Sequence, residues 1–306
     1  MKGRLIEKLA AISCALLISV GVMSGVFARG EEEIESPEPP EATFVILDQA
    51  AEETAVPTME VVDNRTSVPM LVDGGERGSC TVIDGLLYMS PVSFCRALGL
   101  DVSSSVSDGV YAVSGDGVSI TAEPGALYFV CNGRYLYIEG GVREQGGQVL
   151  VPLELLAKCL GVSAAWDRAA WNVAVRADSI DPLEDGDTYY LDTDVYWMSH
   201  VIYAEAGNQP LLGQIAVGSV VMNRIADESF TGQNSVYDVI FAKNQFEVVI
   251  NGMIYMEPDS NAVLAAKIAL EGADVVRGAT YFATFDFGEG YKCVMWIGDH
   301  CFMTEA

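Results

Sequence analysis

The chain has 306 residues, half of them hydrophobic, and carries 43 Asp and Glu against 17 Lys and Arg, a net charge of −26. That length accommodates two modest domains. The charge excludes nucleic acid as a partner, because too little positive charge is present to neutralise phosphates, and it excludes simple electrostatic adhesion to an anionic wall or lipid surface.

Residues 1–28 read as an export signal peptide or membrane anchor: Lys2, Arg4 and Lys8 precede a nearly uncharged run from Leu9 to Phe27, and Val26-Phe27-Ala28 ends it with apolar or small residues. Residues 29–67 are Glu-rich and carry Pro37, Pro39, Pro40 and Pro57, the composition of an extended acidic linker with too little apolar surface to fold alone. Within it, Phe44 to Leu47 is a short apolar patch.

Residues 68–177 form a separate module with a degenerate internal repeat. LLYMSPVSFCRALGLDVS, from Leu86, aligns with QVLVPLELLAKCLGVSAA, from Gln148, so that Phe94 matches Leu156, Leu98 matches Leu160 and Gly99 matches Gly161. Each copy predicts a short strand and then an amphipathic helix closed by Gly. VYAVSG, GVSITA, ALYFVCNGRYLYI and WNVAVRA predict further strands. Residues 178–192 are an acidic linker.

From Asp194 to Arg224 the pattern predicts helix, break, helix. Asp194 is the expected N-cap, and Gly207, Asn208 and Pro210 the stop, with Gly207 as a left-handed C-cap. Glu205 then falls in the last helical turn among Tyr203, Ala204 and Ala206, where the helix dipole and desolvation both raise a carboxyl pKa toward general-acid use. Downstream, Ser235 to Phe241 and Asn261 to Glu271 predict helices, the second capped by Asp259 or Ser260, and Tyr281 to Phe285 with Lys292 to Ile297 predicts a strand pair.

The remaining chemistry is sparse. Two His, no H-E-x-x-H and no C-x-x-C argue against a metal site, and no cofactor is implied. Of the seven Cys, Cys95 and Cys159 fall on equivalent apolar faces of the repeat helices, and only Cys293 with Cys301 is a candidate for pairing. Asp238, Glu247, Asp286, Glu289 and Asp299 are candidate partners for Glu205, none of them singled out by pattern.

YAEAGNQPLLGQIAVGSVVMNRI, SVYDVIFAKNQFEVVINGMI, ALEGADVVRGATYFATF and WIGDHCFM, in that order, resemble the motifs of the spore cortex-lytic, or cell-wall hydrolase, family. VCNGRYLYIEGGVREQGGQVLVPLELLAKCLGVSAAWD resembles the copper amine oxidase N-terminal-like domain, a stalk module of secreted bacterial proteins; with no His in it, copper binding is not expected. The resemblance implies an α+β multidomain protein. A mixed α/β stalk is followed, over residues 193–306, by a mainly helical, lysozyme-like catalytic domain that cleaves glycan strands of peptidoglycan. Matching positions imply Glu205 as the catalytic acid and Gln245, Phe246, Tyr281 and Gln214 as substrate-binding residues. Asn223 and His300 match supporting positions; for Gln214 and Asn223 capping or core hydrogen bonding is the equal alternative. His300 is expected to hydrogen-bond and hold the C-terminal strand against the core, and Arg224 to tie the helix to a carboxylate. Whether a regulatory partner protein holds the enzyme inactive is left open. A lytic transglycosylase is the implied reaction type; a water-using muramidase and a non-catalytic wall- or spore-binding protein are the alternatives. Export would place the protein outside the cytoplasm, secreted or membrane-anchored, at the cell wall or spore envelope.

Overall fold

Asx-Gly turns set the architecture of the first half. In this computed structural model, which describes residues 66–306, Asn132 and Gly133 sit at φ 48° and 77°, and Asp116 and Gly117 at 44° and 75°. Two successive left-handed residues make the type I′ turn whose twist matches paired strands, and Asx-Gly tolerates it best. The segment ALYFVCNGRYLYI is therefore a hairpin rather than one strand. The expected export segment and nearly all of the first acidic linker lie outside the described residues.

The strands are β1 (Ser67–Val72), β2 (Gly75–Ile83) and β3 (Leu86–Met89), then helix α1 (Pro91–Ala97). Next come β4 (Ser103–Ser107), β5 (Val110–Gly115), β6 (Val118–Ala122), β7 (Tyr128–Cys131) and β8 (Arg134–Tyr137). Then follow β9 (Arg143–Gln145), β10 (Gln148–Pro152), helix α2 (Leu153–Cys159), β11 (Ser163–Asp167) and β12 (Asn172–Arg176). One seven-stranded sheet has the order β11-β12-β1-β2-β3-β10-β9, with β1 and β12 parallel and its other pairs antiparallel. A five-stranded antiparallel meander runs β4-β5-β6-β7-β8. Strands β3 and β10, which open the two similar stretches, pair with one another, Met89 opposite Val151. Phe94 on α1 and Leu156 on α2 are both fully buried in one core with Met70, Ile120, Phe129 and Leu136.

The second half is built on helices. They are α3 (Gly186–Tyr189), α4 (Asp192–Ala206), α5 (Leu211–Ala226), α6 (Val236–Phe241), α7 (Glu247–Ile250) and α8 (Ser260–Leu270), with a 3-10 turn at Met253–Tyr255. Strands β13 (Tyr281–Ala283), β14 (Tyr291–Ile297) and β15 (His300–Glu305) close the chain. The expected pairing is corrected here. Neither β13 nor β14 pairs with the other; each pairs with β15, which the sequence pattern did not reveal, so the sheet order is β13-β15-β14. Cys293 and Cys301 are disulfide-bonded across it, whereas Cys80, Cys95, Cys131 and Cys159 are buried free thiols. None of the described helices is long and apolar enough to cross a membrane.

Two helix ends also differ from expectation. Helix α4 begins at Asp192, so Asp194 lies in its first turn and favours the dipole from there instead of capping. Gly207 has a right-handed φ of −60°; what requires glycine is space, since a Cβ would stand 2.6 Å from the Tyr203 carbonyl oxygen. Asp259 caps α8 as read, accepting from Ala262 N at 2.8 Å.

Close helix packing leads to a first prediction. A Cβ on Gly218 of α5 would lie 2.6 Å from Ala269 Cβ and 3.1 Å from Ile202 Cδ1, where α5 meets α8 and α4. Alanine improves intrinsic helix propensity by about 1 kcal/mol, but a backbone-anchored methyl cannot rotate away, and overpacking costs about 1–3 kcal/mol. We expect Gly218→Ala to lower the urea midpoint; a midpoint at or above wild type would show that the helices have slack to part.

The expected acidic linker is fastened at many points. Asp181 N donates to Leu160 O at 3.0 Å, Leu183 N to Cys159 O at 2.9 Å, and Gly186 N to Asn132 O at 2.8 Å. Near its end the two halves are locked together. Arg134 of β8 donates through Nε and Nη2 to the two carboxylate oxygens of Glu271, at 2.7 and 2.8 Å. Tyr190 Oη donates to Glu271 at 2.9 Å and accepts from Tyr135 N at 3.0 Å, and Tyr189 lies under the guanidinium at 3.4 Å. The ion pair is out of water, its side chains 8% and 2% exposed. Tyr128, Tyr135 and Tyr137 complete the seal by packing onto the helical core.

Candidate active site

Glu205 is the penultimate residue of α4 and is half-buried, within electrostatic reach of Arg224 on α5 and Glu247 on α7. Burial, then the negative charge of Glu247, push its carboxyl up to about 7, while Arg224 opposes the shift. Glu247 is the one candidate partner that the fold brings into electrostatic reach of Glu205. Three of the other four are engaged elsewhere: Asp238 accepts from Ser235 at 2.8 Å, Asp286 from Gly288 N at 2.9 Å, and Asp299 from Gln209 Nε2 at 3.0 Å, while Glu289 is exposed.

Arg224 is itself buried, which lowers its pKa to about 10. Its Nε donates to Thr280 O at 2.7 Å, and its guanidinium carbon stands 5.1 Å from the Phe246 ring, 5.4 Å from Phe230 and 5.6 Å from Tyr281. Its hydrogen-bonded tie is thus to a carbonyl and a cage of rings, where a carboxylate had been expected. A buried cation near Glu205 limits how far the carboxyl rises.

The implied substrate-binding residues divide sharply. Tyr281 is half-buried and donates its hydroxyl to Glu305 at 2.8 Å, leaving the ring as a wall beside Arg224. Gln245 is also half-buried, on the turn before α7. Phe246, 3% exposed, cannot offer a ring face to a sugar and serves as packing behind the site, 6.4 Å from Phe282. Gln214 is 2% exposed and its amide donates to Gln209 O at 3.2 Å, so it belongs to the start of α5 rather than to a groove. Asn223 donates to Asp274 and to Ala279 O, holding the loop after α8. His300 is buried between Phe282 and Phe302, its Nδ1 without a partner, and burial lowers its pKa; rings hold it, not the hydrogen bond expected.

Sequence reading missed the aromatic wall that continues from Tyr281. Tyr291 lies 5.2 Å from Tyr281, Phe287 4.9 Å from Tyr291, and Phe285 5.5 Å from Phe287, with both Phe residues exposed. The signal was the F-D-F-G-E-G-Y run, whose aromatics are too many for an exposed loop without a use. Asp286, Cys293 and Cys301 are the one group of potential metal ligands in close proximity among the described residues, but the two sulfurs are bonded to each other.

Residues 208–303 match the family described as Cell Wall Hydrolase, and residues 78–175 match the family described as Copper amine oxidase N-terminal domain. The chain thus carries a cell wall hydrolase domain behind a copper amine oxidase N-terminal domain; the first match starts at Asn208, just past Glu205. Among curated proteins, the spore cortex-lytic enzyme of Halalkalibacterium halodurans is 41% identical over 93 residues, covering 30% of this chain and 28% of that protein. That of Bacillus subtilis is 33% identical over 118 residues, covering 37% and 38%. The chain therefore spans well under half the length of these relatives. Among solved structures, the catalytic domain of the germination-specific lytic transglycosylase SleB from Bacillus anthracis is 31% identical, covering 40% of this chain and 100% of that one, with a TM-score of 0.35.

Proposed function

We propose that this protein is an exported peptidoglycan-cleaving enzyme, and that Glu205 is its general acid. The observation that carries the reading is a half-buried carboxyl at a helix end with its pKa raised to about 7, beside Arg224, against which an aromatic wall suited to glycan faces begins at Tyr281. Residues 1–28 would direct export, 29–67 tether, 68–177 act as stalk and 193–306 as the catalytic region, joined through the fastened segment 178–192. The substrate bond is that between N-acetylmuramic acid and N-acetylglucosamine. Its environment is the cell wall or the spore cortex, the latter supported by what the curated relatives are named for.

As a lytic transglycosylase, the enzyme would use Glu205 twice. It first protonates the departing glycosidic oxygen; the C6 hydroxyl of the muramic residue then attacks C1, and Glu205 takes the proton that hydroxyl releases. The product is a 1,6-anhydro ring and no water is consumed. Glu247 favours a second reading, because a carboxylate felt by Glu205 could instead activate water, as in an inverting muramidase. Mass spectrometry of muropeptides released from purified sacculi in ¹⁸O-labelled water separates the two. We expect anhydro ends, lighter by one water and free of label; hydrated ends carrying ¹⁸O would establish hydrolysis.

A further inference from the structure

A cavity of about 540 Å³ is lined by residues of the first half of the chain and by Asp274 of the second, and Glu205 is not among them. Its size falls in the range of small-molecule sites. Tyr137, Leu86, Leu155 and Trp166 give it apolar walls, and Glu139, Glu154, Arg168 and Asp274 bring charge to it. Arg168 is laid over the Trp166 ring at 4.2 Å and donates to Gly85 O at 3.3 Å, so the ring and the guanidinium are held as one shelf. The indole Nε1 of Trp166 is buried without a hydrogen-bond partner. Glu139 and Glu154 are exposed and enter no ion pair among the described residues, which leaves acceptors open on the other side.

We propose that this cavity is a second saccharide subsite, one that holds an N-acetylated sugar of the glycan strand remote from the cleavage point. The proposal rests on the peptidoglycan reading above. A sugar pairs apolar C–H faces with hydroxyls that donate and an acetamido carbonyl that accepts, which matches an aromatic shelf, free carboxylates and the Arg168 N–H groups not used on Gly85. Three carboxylates against one guanidinium disfavour an anionic ligand such as phosphate or the polymer's own acidic groups. The location also suits a long strand. Asp274, on the cavity wall, belongs to the loop after α8 that Asn223 holds, and that loop runs on to Thr280 and Tyr281 beside Arg224. The buried Arg134–Glu271 pair fixes the two halves rigidly, so both sites would present to one strand at a constant spacing.

The test uses the full-length chain carrying Glu205→Gln, so that ligand is not consumed, and titrates it calorimetrically with tetra-N-acetylchitotetraose and separately with a muramyl stem peptide. Adding Trp166→Ala should weaken binding of the sugar by at least about tenfold, or 1.4 kcal/mol. The surface pair Glu139→Gln with Glu154→Gln should weaken it too, and being exposed it leaves the fold intact if Trp166→Ala does not. Unchanged sugar affinity in the surface pair and in a folded Trp166→Ala protein, or binding of the stem peptide alone, would overturn the subsite. Cleavage assays on the Glu205 wild-type background keep the two readings apart. Loss of sugar affinity in a protein that never cleaves sacculi upholds the subsite and fails the enzyme, and unaltered affinity in one that cleaves does the reverse.

Discussion

Replacing Glu205 by Gln should lower the rate of glycan cleavage by at least ~10²-fold, the usual scale for loss of a general acid, with the fold intact. The pH dependence supplies a sharper signature. With its pKa raised to about 7, Glu205 is mostly protonated below neutrality, so wild-type activity should fall as pH rises through that value. The sign for stability follows from the same shift. A carboxyl whose pKa is higher folded than unfolded favours folding fully below its unfolded value of about 4.5, and that contribution is lost as pH rises toward 7. The variant should thus match wild type in stability near pH 4 and exceed it at pH 8, by on the order of 3 kcal/mol. Glu247→Gln should move the activity limb to lower pH without abolishing it, since burial is the larger cause of the shift. Near-wild-type turnover by Glu205→Gln, or equal stability of the two proteins at pH 8, would remove Glu205 from its assigned role.

Arg134→Ala should be among the most destabilising single changes in the chain. It leaves the Glu271 carboxylate, 2% exposed, with only the Tyr190 hydroxyl and Lys158 Nζ at 3.8 Å. Stranding a buried charge in this way costs about 3–5 kcal/mol, whereas replacing both partners by apolar residues of similar volume is often close to neutral. We therefore expect the single variant to unfold at markedly lower urea, and Arg134→Met with Glu271→Met to recover most of the loss. Because the pair joins β8 to the end of α8, both halves should unfold in one transition, and removing residues 68–177 would strand Glu271 just as the single change does. Two separate transitions in the wild type, or a mild effect of Arg134→Ala, would show that the junction is not the clamp that its geometry indicates.

What the sequence determined by itself was local. Period-2 and helical patterning located the strands around Val110 to Ala122 and the helices flanking Gly207 to Pro210, and the placement of Glu205 in a last turn already implied a raised pKa. Asx-Gly pairs such as Asn132-Gly133 carry their turn in their own backbone preferences, and so were legible in principle even where read as one strand. What only the tertiary structure decided depends on which distant residues meet. Strand β15 became the centre of its sheet because pairing is chosen between strands rather than within one. Phe246 and Gln214 turned inward because neighbouring elements cover them, and Glu247, one acid among 43, acquired significance solely from where α7 docks. The Arg134–Glu271 contact joins residues 137 positions apart, and a charge pair at that range leaves no periodicity behind. Local propensity acts through neighbours along the chain, whereas burial and electrostatics act through space, and the chemistry of this site belongs to the second kind.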